Sequence, residues 1–560
     1  MASIFFHVLK DVDCLISPFY NTMKRKRAEF FKHVLQIEND FNKGVENMKQ
    51  QTFPAASYTD WEQAAHSSLK GKALSKLFTK TVESIELKPL YTKEDVEGIY
   101  RSLPGDKPFT RGFYGEGAFP ASGFVLETDP LSEGAAVGVF PSVSMLQNIH
   151  TQQFITINTV PYHMAGANAV QELVAALSEA VFYMKEAEKK GIKKSDAASK
   201  LVVHFASGPR FFTELAKIRA FRTLWSALMD AYELDENAKP KISVETSQLT
   251  LSSLDPHVNI LRTGSAAFAA VLANIDYLSV TPFDQLTGET SGLSERIAQN
   301  IPLLLRHESH LDKVIDPGGG SYYIESLTEE IGRLAWDEFA LMEDKGGIEQ
   351  ALRTGVFQKE IMEVQANREH DAATRKHQLI GTNIYANIDE TNRFSDETQV
   401  QAKIEGEKIN PLMPKRLAKP FEQLRQKAVR LEQTEQSVEG GIICLGELKT
   451  NKPRVDYVTG VLAVGGIHAV KSENIDKIEE AVKFVKDTKL PYYCICGADA
   501  VYEEFGQELV DELKKAANGA MIDVAGKWQA DGLNGSIAAG DNIVEKLSEL
   551  LSLFEGRTIQ

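Results

Sequence analysis

The sequence predicts an α/β protein built on parallel sheets, and three observations carry that expectation. Between Thr151 and Glu325 short apolar runs alternate with long helical patterns, the order that a parallel sheet with crossover helices produces. After Gly440 a second, shorter alternation begins, which reads as a small doubly wound domain. The 560 residues are 43% apolar and 25% charged, an ordinary globular balance with room for two or three domains.

The first alternation runs as follows. Phe154-Ile-Thr-Ile157 precedes a helix from Gly166 to Glu188, and Leu201-Val-Val-His-Phe205 precedes one from Phe211 to Tyr232. Ile242-Ser-Val244 precedes Thr246-Ser247-Gln248 and a helix near Thr263 to Asn274. Tyr277 to Val280 leads through a Thr-, Gly- and Ser-rich loop into a helix whose Leu293, Ile297, Ile301 and Leu304 recur at spacings of three and four. Asp316-Pro-Gly-Gly-Gly-Ser321 stops that helix, because Pro317 cannot continue it and three glycines supply angles other residues avoid. A further strand is expected at Tyr322-Tyr-Ile324.

In the second alternation, strands are expected at Ile442 to Leu445, Tyr457 to Val464, Tyr492 to Cys496 and Ala520 to Val524. Helices fall at Ile475 to Lys486, Glu503 to Ala517 and Ile543 to Leu553. Between the two series, Arg393 to Ser437 carries mixed charge, Pro411, Pro414 and Pro420, and a helical run through Leu424, Ala428 and Leu431. It reads as an interdomain belt. Near the start, a helix from Tyr20 to Gln50 sets Phe30, Phe31, Val34, Leu35 and Ile37 opposite the basic run Lys24 to Arg27. Trp61, Ala64 and Leu69 with Gly71 read as a second helix and its end, and Leu87 to Tyr91 as an extended segment.

Composition narrows function. A net charge of -16 disfavours a nucleic-acid partner, and no apolar run reaches the roughly 18 residues of a spanning helix. Four cysteines, Cys14, Cys444, Cys494 and Cys496, are too few for a disulfide framework in so long a chain. A cytoplasmic setting fits. Cys494 and Cys496 alternate along one strand and are read as core thiols on one face. His307-Glu-Ser-His310 spaces two imidazoles at i and i+3 without a third ligand, so no metal site is assigned.

Three stretches, SERIAQNIPLLLRHESHLDKVIDPGGGSYYIE from Ser294 to Glu325, Phe211 to Ala220 and Tyr162-His-Met-Ala-Gly-Ala167, resemble the methylmalonyl-CoA mutase family, and within it the small subunit that pairs with a catalytic large one. The likeness covers roughly Trp61 to Phe554 with one large gap. It implies a (β/α)8 TIM-type barrel followed by a flavodoxin-like doubly wound domain. The implied layout is an N-terminal helical extension over 1–60, a truncated mutase-type barrel over 61–394, a linker over 395–437, and a cobalamin-binding-type domain over 438–560. It also implies adenosylcobalamin in the assembled enzyme, held by a heterodimeric large subunit that interconverts succinyl-CoA and methylmalonyl-CoA.

Departures from the family pattern define what this chain can contribute. Pro108-Phe-Thr-Arg-Gly112 resembles the entry to the family's barrel, but Phe113 to Pro120 lacks the Arg and Trp of the loop that covers the cofactor in active members. A strand, crossover and next strand take roughly 30 residues or more, so Arg101 to Gln153 has space for about one unit, and a shortened barrel leaves sheet edges to be covered. The family's Asp-x-His-x-x-Gly cobalt-ligand motif falls where this chain has Gly446-Glu-Leu-Lys-Thr-Asn-Lys-Pro453, with no histidine. His468 is read as a loop residue past the second strand, and Gly532 to Gly540 resembles the loop beside the cofactor tail, here a tight turn ahead of a helix.

Tyr162 and His163 match the Tyr-His pair that faces substrate in the active subunit. A neutral imidazole at a strand end suits a thioester carbonyl. The Gln-Glu that follows the family's Tyr-His-Met is missing. Thr246, Ser247 and Arg262 hold similar loop positions and complete the candidate substrate-facing set. The favoured expectation is a non-catalytic small subunit. A catalytic mutase in its own right, or a degenerate flavodoxin-like module, are the alternatives.

Overall fold

The computed structural model describes residues 56–100, 102–115, 119–121, 126–148, 153–390, 404–434 and 436–555. The helix expected from Tyr20 to Gln50 and the position of Cys14 lie outside them. Contacts divide the chain into two compact units, Met1–Leu77 and Phe78–Gln560. In the first, helix α1 (Tyr58–Ser68) starts on a capping box: Asp60 N–H donates to Ser57 Oγ (3.2 Å) and Ser57 N–H to Asp60 Oδ2 (2.8 Å).

The second unit opens on a hairpin of β1 (Thr79–Lys80) and β2 (Glu86–Leu87), then α2 (Pro130–Val137), β3 (Val139–Pro141) and α3 (Val143–Asn148). The main alternation follows as β4 (Ile155–Asn158), α4 (Val160–Met164), α5 (Ala169–Glu188), α6 (Lys194–Ser199), β5 (Leu201–Ser207), α7 (Phe211–Ala231), β6 (Lys241–Thr246), α8 (Val258–Leu272) and β7 (Tyr277–Ser279). The four strands pair in chain order, all parallel, with Ile155 opposite Leu201, Val203 opposite Ile242 and Val244 opposite Leu278. Every residue of β5 is buried, which is why its sequence is a continuous apolar run rather than an alternating one.

The closed eight-stranded barrel that the resemblance implies is not present among the described residues: the sheet has four strands and stays open. Among the described residues no further strand joins this sheet after β7. Instead α9 (Gly292–His307) leads through the Asp316 to Gly320 turn into α10 (Tyr322–Asp344). Tyr322 to Ile324, expected as a strand, is therefore the first turn of a long helix. Its aromatic pair is outweighed by Ile324, Leu327, Ile331, Ala335 and Phe339, which are buried at helical spacing. The edges of the sheet are covered locally. Ala121 bridges to β7, accepting Leu278 N–H (3.0 Å) and donating to Asp276 O (2.9 Å), and on the other side Asn158 N–H donates to Asp129 Oδ2 (2.8 Å).

Helix α9 forms as its periodicity predicts, but it turns Ser294, Ala298 and Pro302 inward. Leu293 is 53% and Leu304 47% exposed. Next come α11 (Gly347–Thr354), α12 (Val356–Ala373) and β8 (Gly406–Lys408), which pairs antiparallel with β3. The belt then becomes α13 (Lys419–Gln433). It is clamped: Arg416 and Glu422 pair through both oxygens (2.8 and 2.8 Å), and Glu422 also accepts Ser253 N–H (2.8 Å).

The C-terminal part comprises β9 (Glu439–Cys444), α14 (Leu448–Val464), β10 (His468–Lys471), α15 (Ile478–Thr488), β11 (Tyr492–Cys496), α16 (Asp499–Ala516), β12 (Met521–Ala525), β13 (Gly535–Ile537) and α17 (Ile543–Glu555). Its five strands are parallel in the order β10-β9-β11-β12-β13. Tyr457 to Val464, expected as a strand, is the second half of α14. Its β-branched residues fall at helical spacing, with Val455, Val458, Val461 and Leu462 buried. The second strand is instead β10. Cys494 and Cys496 do share one buried face, with Cys444 opposite Cys496 in register. Arginines join this part to the first sheet's helices: Arg375 donates to Gly460 O (2.9 Å) and Arg425 to Ala463 O (3.0 Å) and Asn387 O (3.0 Å).

Candidate functional site

The chain leaves β4 into the short helix α4, which carries Tyr162 and His163, and Gly166 then lets it turn into α5. Gly166 has φ +111° and lies so close to α12 that an added Cβ would overlap Gln365. Asn168 caps α5 in a box with Gln171, fixing Glu172 and Glu179 two turns apart on the helix.

His163 is held at both ring nitrogens. Nδ1 lies 2.7 Å from Glu172 Oε1, and Nε2 lies 2.6 Å from Ser247 Oγ. With Nδ1–H donating to the carboxylate, Nε2 accepts from Ser247, whose oxygen in turn accepts Leu249 N–H (3.1 Å). Behind them Lys217 Nζ contacts both oxygens of Glu172 (3.2 and 3.2 Å), pairs with Glu214 (2.7 Å) and donates to Ala206 O (2.7 Å). Burial acts to raise the Glu172 carboxyl, yet Lys217 and His163 outweigh it and hold the group below its ordinary range. Burial likewise acts against the Lys217 charge, and the two glutamates reverse it.

The Tyr162 hydroxyl donates to Glu179 Oε1 (2.6 Å) and its ring packs on Phe357 (5.6 Å between centroids). Asp129 lies beside Glu179 and accepts from Tyr183 Oη, Asn158 N–H and Leu131 N–H. Burial, then the Asp129 charge, push the Glu179 carboxyl well above the usual range. Thr246 clasps β6 to β7, accepting Thr281 N–H at its hydroxyl (2.8 Å) and Thr281 Oγ1 at its carbonyl (2.8 Å).

Thus the structure brings His163 and Ser247 together and sets the others apart. Tyr162, His163, Thr246 and Ser247 are each no more than 4% exposed, and their side-chain polar atoms find partners inside the fold. Arg262 stands elsewhere, donating to Asn259 Oδ1 (2.7 Å) and Ile380 O (2.7 Å). Sequence reasoning missed Glu172, Glu179, Lys217 and Asp129. The signal was available: charged residues inside apolar helical runs mark buried pairs.

In the C-terminal sheet, ligands of doubly wound folds occupy the crevice at the carboxyl ends of the strands. Here that edge is filled by the chain's own side chains. Arg454 donates to Gly497 O (2.5 Å) and Asp499 Oδ1 (2.6 Å), its guanidinium lies 5.1 Å from the Tyr502 ring, and Trp528 stacks on Tyr502 at 5.2 Å. Gly446 leads from β9 straight into α14, where Asn451 ties Gly446 O to Asn474 (3.0 and 3.0 Å). His468, the only histidine after residue 438, is not a loop residue past the second strand. It is the first residue of β10, opposite Glu439 at the amino end of the sheet, near Glu432 (3.4 Å). An imidazole there cannot reach the carboxyl-edge crevice, so the residues present do not fit a cobalamin held through a histidine. Gly532 to Gly540 contains β13 as well as the expected turn. His307 ends α9 while His310, at φ 53°, starts a separate turn, so the two do not share a helix face. Among the described residues no group of three or more metal-ligating side chains converges.

These features define a class: an α/β protein with an open four-stranded parallel sheet joined to a five-stranded, doubly wound one. The model of the methylmalonyl-CoA mutase family matches residues 143–450. The methylmalonyl-CoA mutase small subunit of Porphyromonas gingivalis is 31% identical over 423 residues, covering 73% of this chain and 67% of that protein. That of Streptomyces virginiae is 30% identical over 437 residues, 76% and 70% of the two chains. A methylmalonyl-CoA mutase of Rhizobium meliloti is 37% identical over 238 residues, 42% of this chain and 33% of that one. The chain thus spans about two thirds of the small subunits it matches. It belongs to the methylmalonyl-CoA mutase family.

Proposed function

We propose that the chain is the small, non-catalytic subunit of a heterodimeric, adenosylcobalamin-dependent methylmalonyl-CoA mutase, supporting the isomerisation between succinyl-CoA and methylmalonyl-CoA carried out by a large subunit. On this reading the cofactor and the acyl-CoA are held by the partner, in the cytoplasm. Residues 61–394 are a shortened form of the family's barrel domain, and 438–560 are a flavodoxin-like domain of cobalamin-binding type that has lost its ligand motif. The observation that carries the reading is the carboxyl edge of the C-terminal sheet, where Arg454, Tyr502 and Trp528 occupy the crevice while His468 lies at the sheet's opposite end. Two others support it. His163, the residue best suited to a thioester carbonyl, spends both nitrogens on Glu172 and Ser247, and the outward leucines of α9 suit a surface that a partner covers. Co-expression with a large mutase subunit, followed by size-exclusion chromatography, tests the reading. A co-eluting pair is expected, and a chain that stays alone at micromolar concentration beside a fully active large subunit contradicts it.

A further inference from the structure

A trench of about 1160 Å3 runs along α12 and is walled by α5, α10, α11 and the β1–β2 hairpin. Its size exceeds the roughly 300–1,000 Å3 of ordinary small-molecule pockets. None of Tyr162, His163, Thr246 and Ser247 lines it.

The trench is polarised. At one end stand Arg210, Arg368, Lys376 and His377. Lys376 is paired with Asp371 (3.1 Å), but among the described residues Arg210 and Arg368 have no ion pair, and the buried Nε of Arg368 has no hydrogen-bond partner there. Arg368 spends Nη2 on Ala167 O (3.1 Å). Glu83, on the trench wall, acts on Arg368 through its charge without pairing with it, so the two guanidinium groups, one of them partly buried, still present N–H groups that an oxyanion would complete. His377 reports the same field: burial, then the charges of Arg210 and Arg368, with Arg262 adding to them against Asp371, hold its imidazole down at about 4. Away from this end the lining mixes apolar side chains, Val170, Val174, Leu334, Leu341, Met342 and Phe357, with charged ones, among them Glu338, Lys345 and Glu360. Glu360, on the same helix face, lies eight residues or about 12 Å before Arg368. Beside it, burial and then the Glu360 charge raise the Glu338 carboxyl above its usual range, which lowers the charge a neutral chain would meet there.

We propose that this trench binds an elongated amphiphile, an oxyanion head on an apolar chain, with the head held by Arg210 and Arg368 and the chain laid along Val170, Val174, Leu341 and Met342. The head is a carboxylate or a phosphate, and the partner of Arg368 Nε is one of its oxygens.

The test uses the full chain labelled with 13C-histidine and follows the His377 ring by NMR between pH 7 and 4, its signal assigned by its loss in His377→Asn. Decanoate, decyl phosphate and inorganic phosphate are the three probes. Decanoate or decyl phosphate at saturation is expected to raise the His377 midpoint by one unit or more, because an anion beside the guanidiniums restores the protonated form, and whichever of the two binds more tightly names the head group. Arg210→Ala, at an exposed position, and Arg368→Gln are expected to weaken binding tenfold or more, the first without changing the thermal melt. Leu341→Asp, also at an exposed position, is expected to weaken the alkyl probes while sparing inorganic phosphate. Inorganic phosphate binding as well as the alkyl probes would overturn the amphiphile, and no movement of His377 with any probe would overturn the site.

Discussion

Replacing Lys217 by Met isolates the ion pair on which the first sheet's polar interior depends. Lys217 is 1% exposed and meets Glu172 through both carboxylate oxygens and Glu214 through one, besides donating to Ala206 O. Methionine fills nearly the same volume, so the loss is electrostatic rather than a cavity. It leaves Glu172, 2% exposed, with only His163 Nδ1 and a long contact from Thr159 Oγ1 (3.4 Å). Removing one partner of a buried pair typically costs about 3–5 kcal/mol, because the remaining charge stays desolvated. Lys217→Met should therefore destabilise by about that amount, read as a lower urea midpoint by tryptophan fluorescence, with Trp225 eight residues along the same helix as a local probe. Glu172→Gln in the same chain removes the stranded charge and should restore at least about 1 kcal/mol, giving a coupling in the range of contacting residues. A Lys217→Met loss below about 1 kcal/mol, or strict additivity in the double variant, would refute the network as the organising feature of this core.

Glu179→Gln tests the neighbouring carboxyl pair. The folded Glu179 carboxyl titrates well above its unfolded range near 4.3, so its contribution is fully present below that value and drains away as pH rises toward the folded one. The native chain should lose stability as pH rises above that unfolded range, at up to about 1.4 kcal/mol per unit, and the Gln variant should lose less. Parallel urea midpoints across that range would contradict the assignment. Gly166→Ala should destabilise by more than about 1 kcal/mol, since it adds both a left-handed backbone angle and an overlap with Gln365. A thermal melt within a degree of the native one would show that α12 can give way.

The elements read from sequence most faithfully are those whose pattern has one interpretation. The strand Tyr492 to Cys496 and the apolar run from Leu201 are too short and too uniformly buried for helices. The helix after Phe211 carries its period through five turns. Tyr322 to Ile324 and Tyr457 to Val464 were misread because aromatic and β-branched residues favour strands locally, while the decisive 3.6-residue period lies in the residues beyond the window in one case and before it in the other. The pairing of His163 with Ser247 joins residues 84 positions apart, a contact no local pattern encodes. Glu172 and Lys217 lie 45 positions apart, so which charge meets which is likewise set by packing and not by local pattern. The shortened barrel was legible from arithmetic, since Arg101 to Gln153 is too short for four strand-helix units, but what covers the sheet's edges was not: Ala121 and Asp129 act through one or two hydrogen bonds to each edge.

The most direct measurement is an isomerase assay on the purified chain with adenosylcobalamin, alone and then with a large mutase subunit, read together with the cofactor's absorbance spectrum. Alone, the chain should leave both CoA esters and the spectrum unchanged, with turnover appearing once the large subunit is added. Interconversion of succinyl-CoA and methylmalonyl-CoA by the chain without a companion would contradict the account.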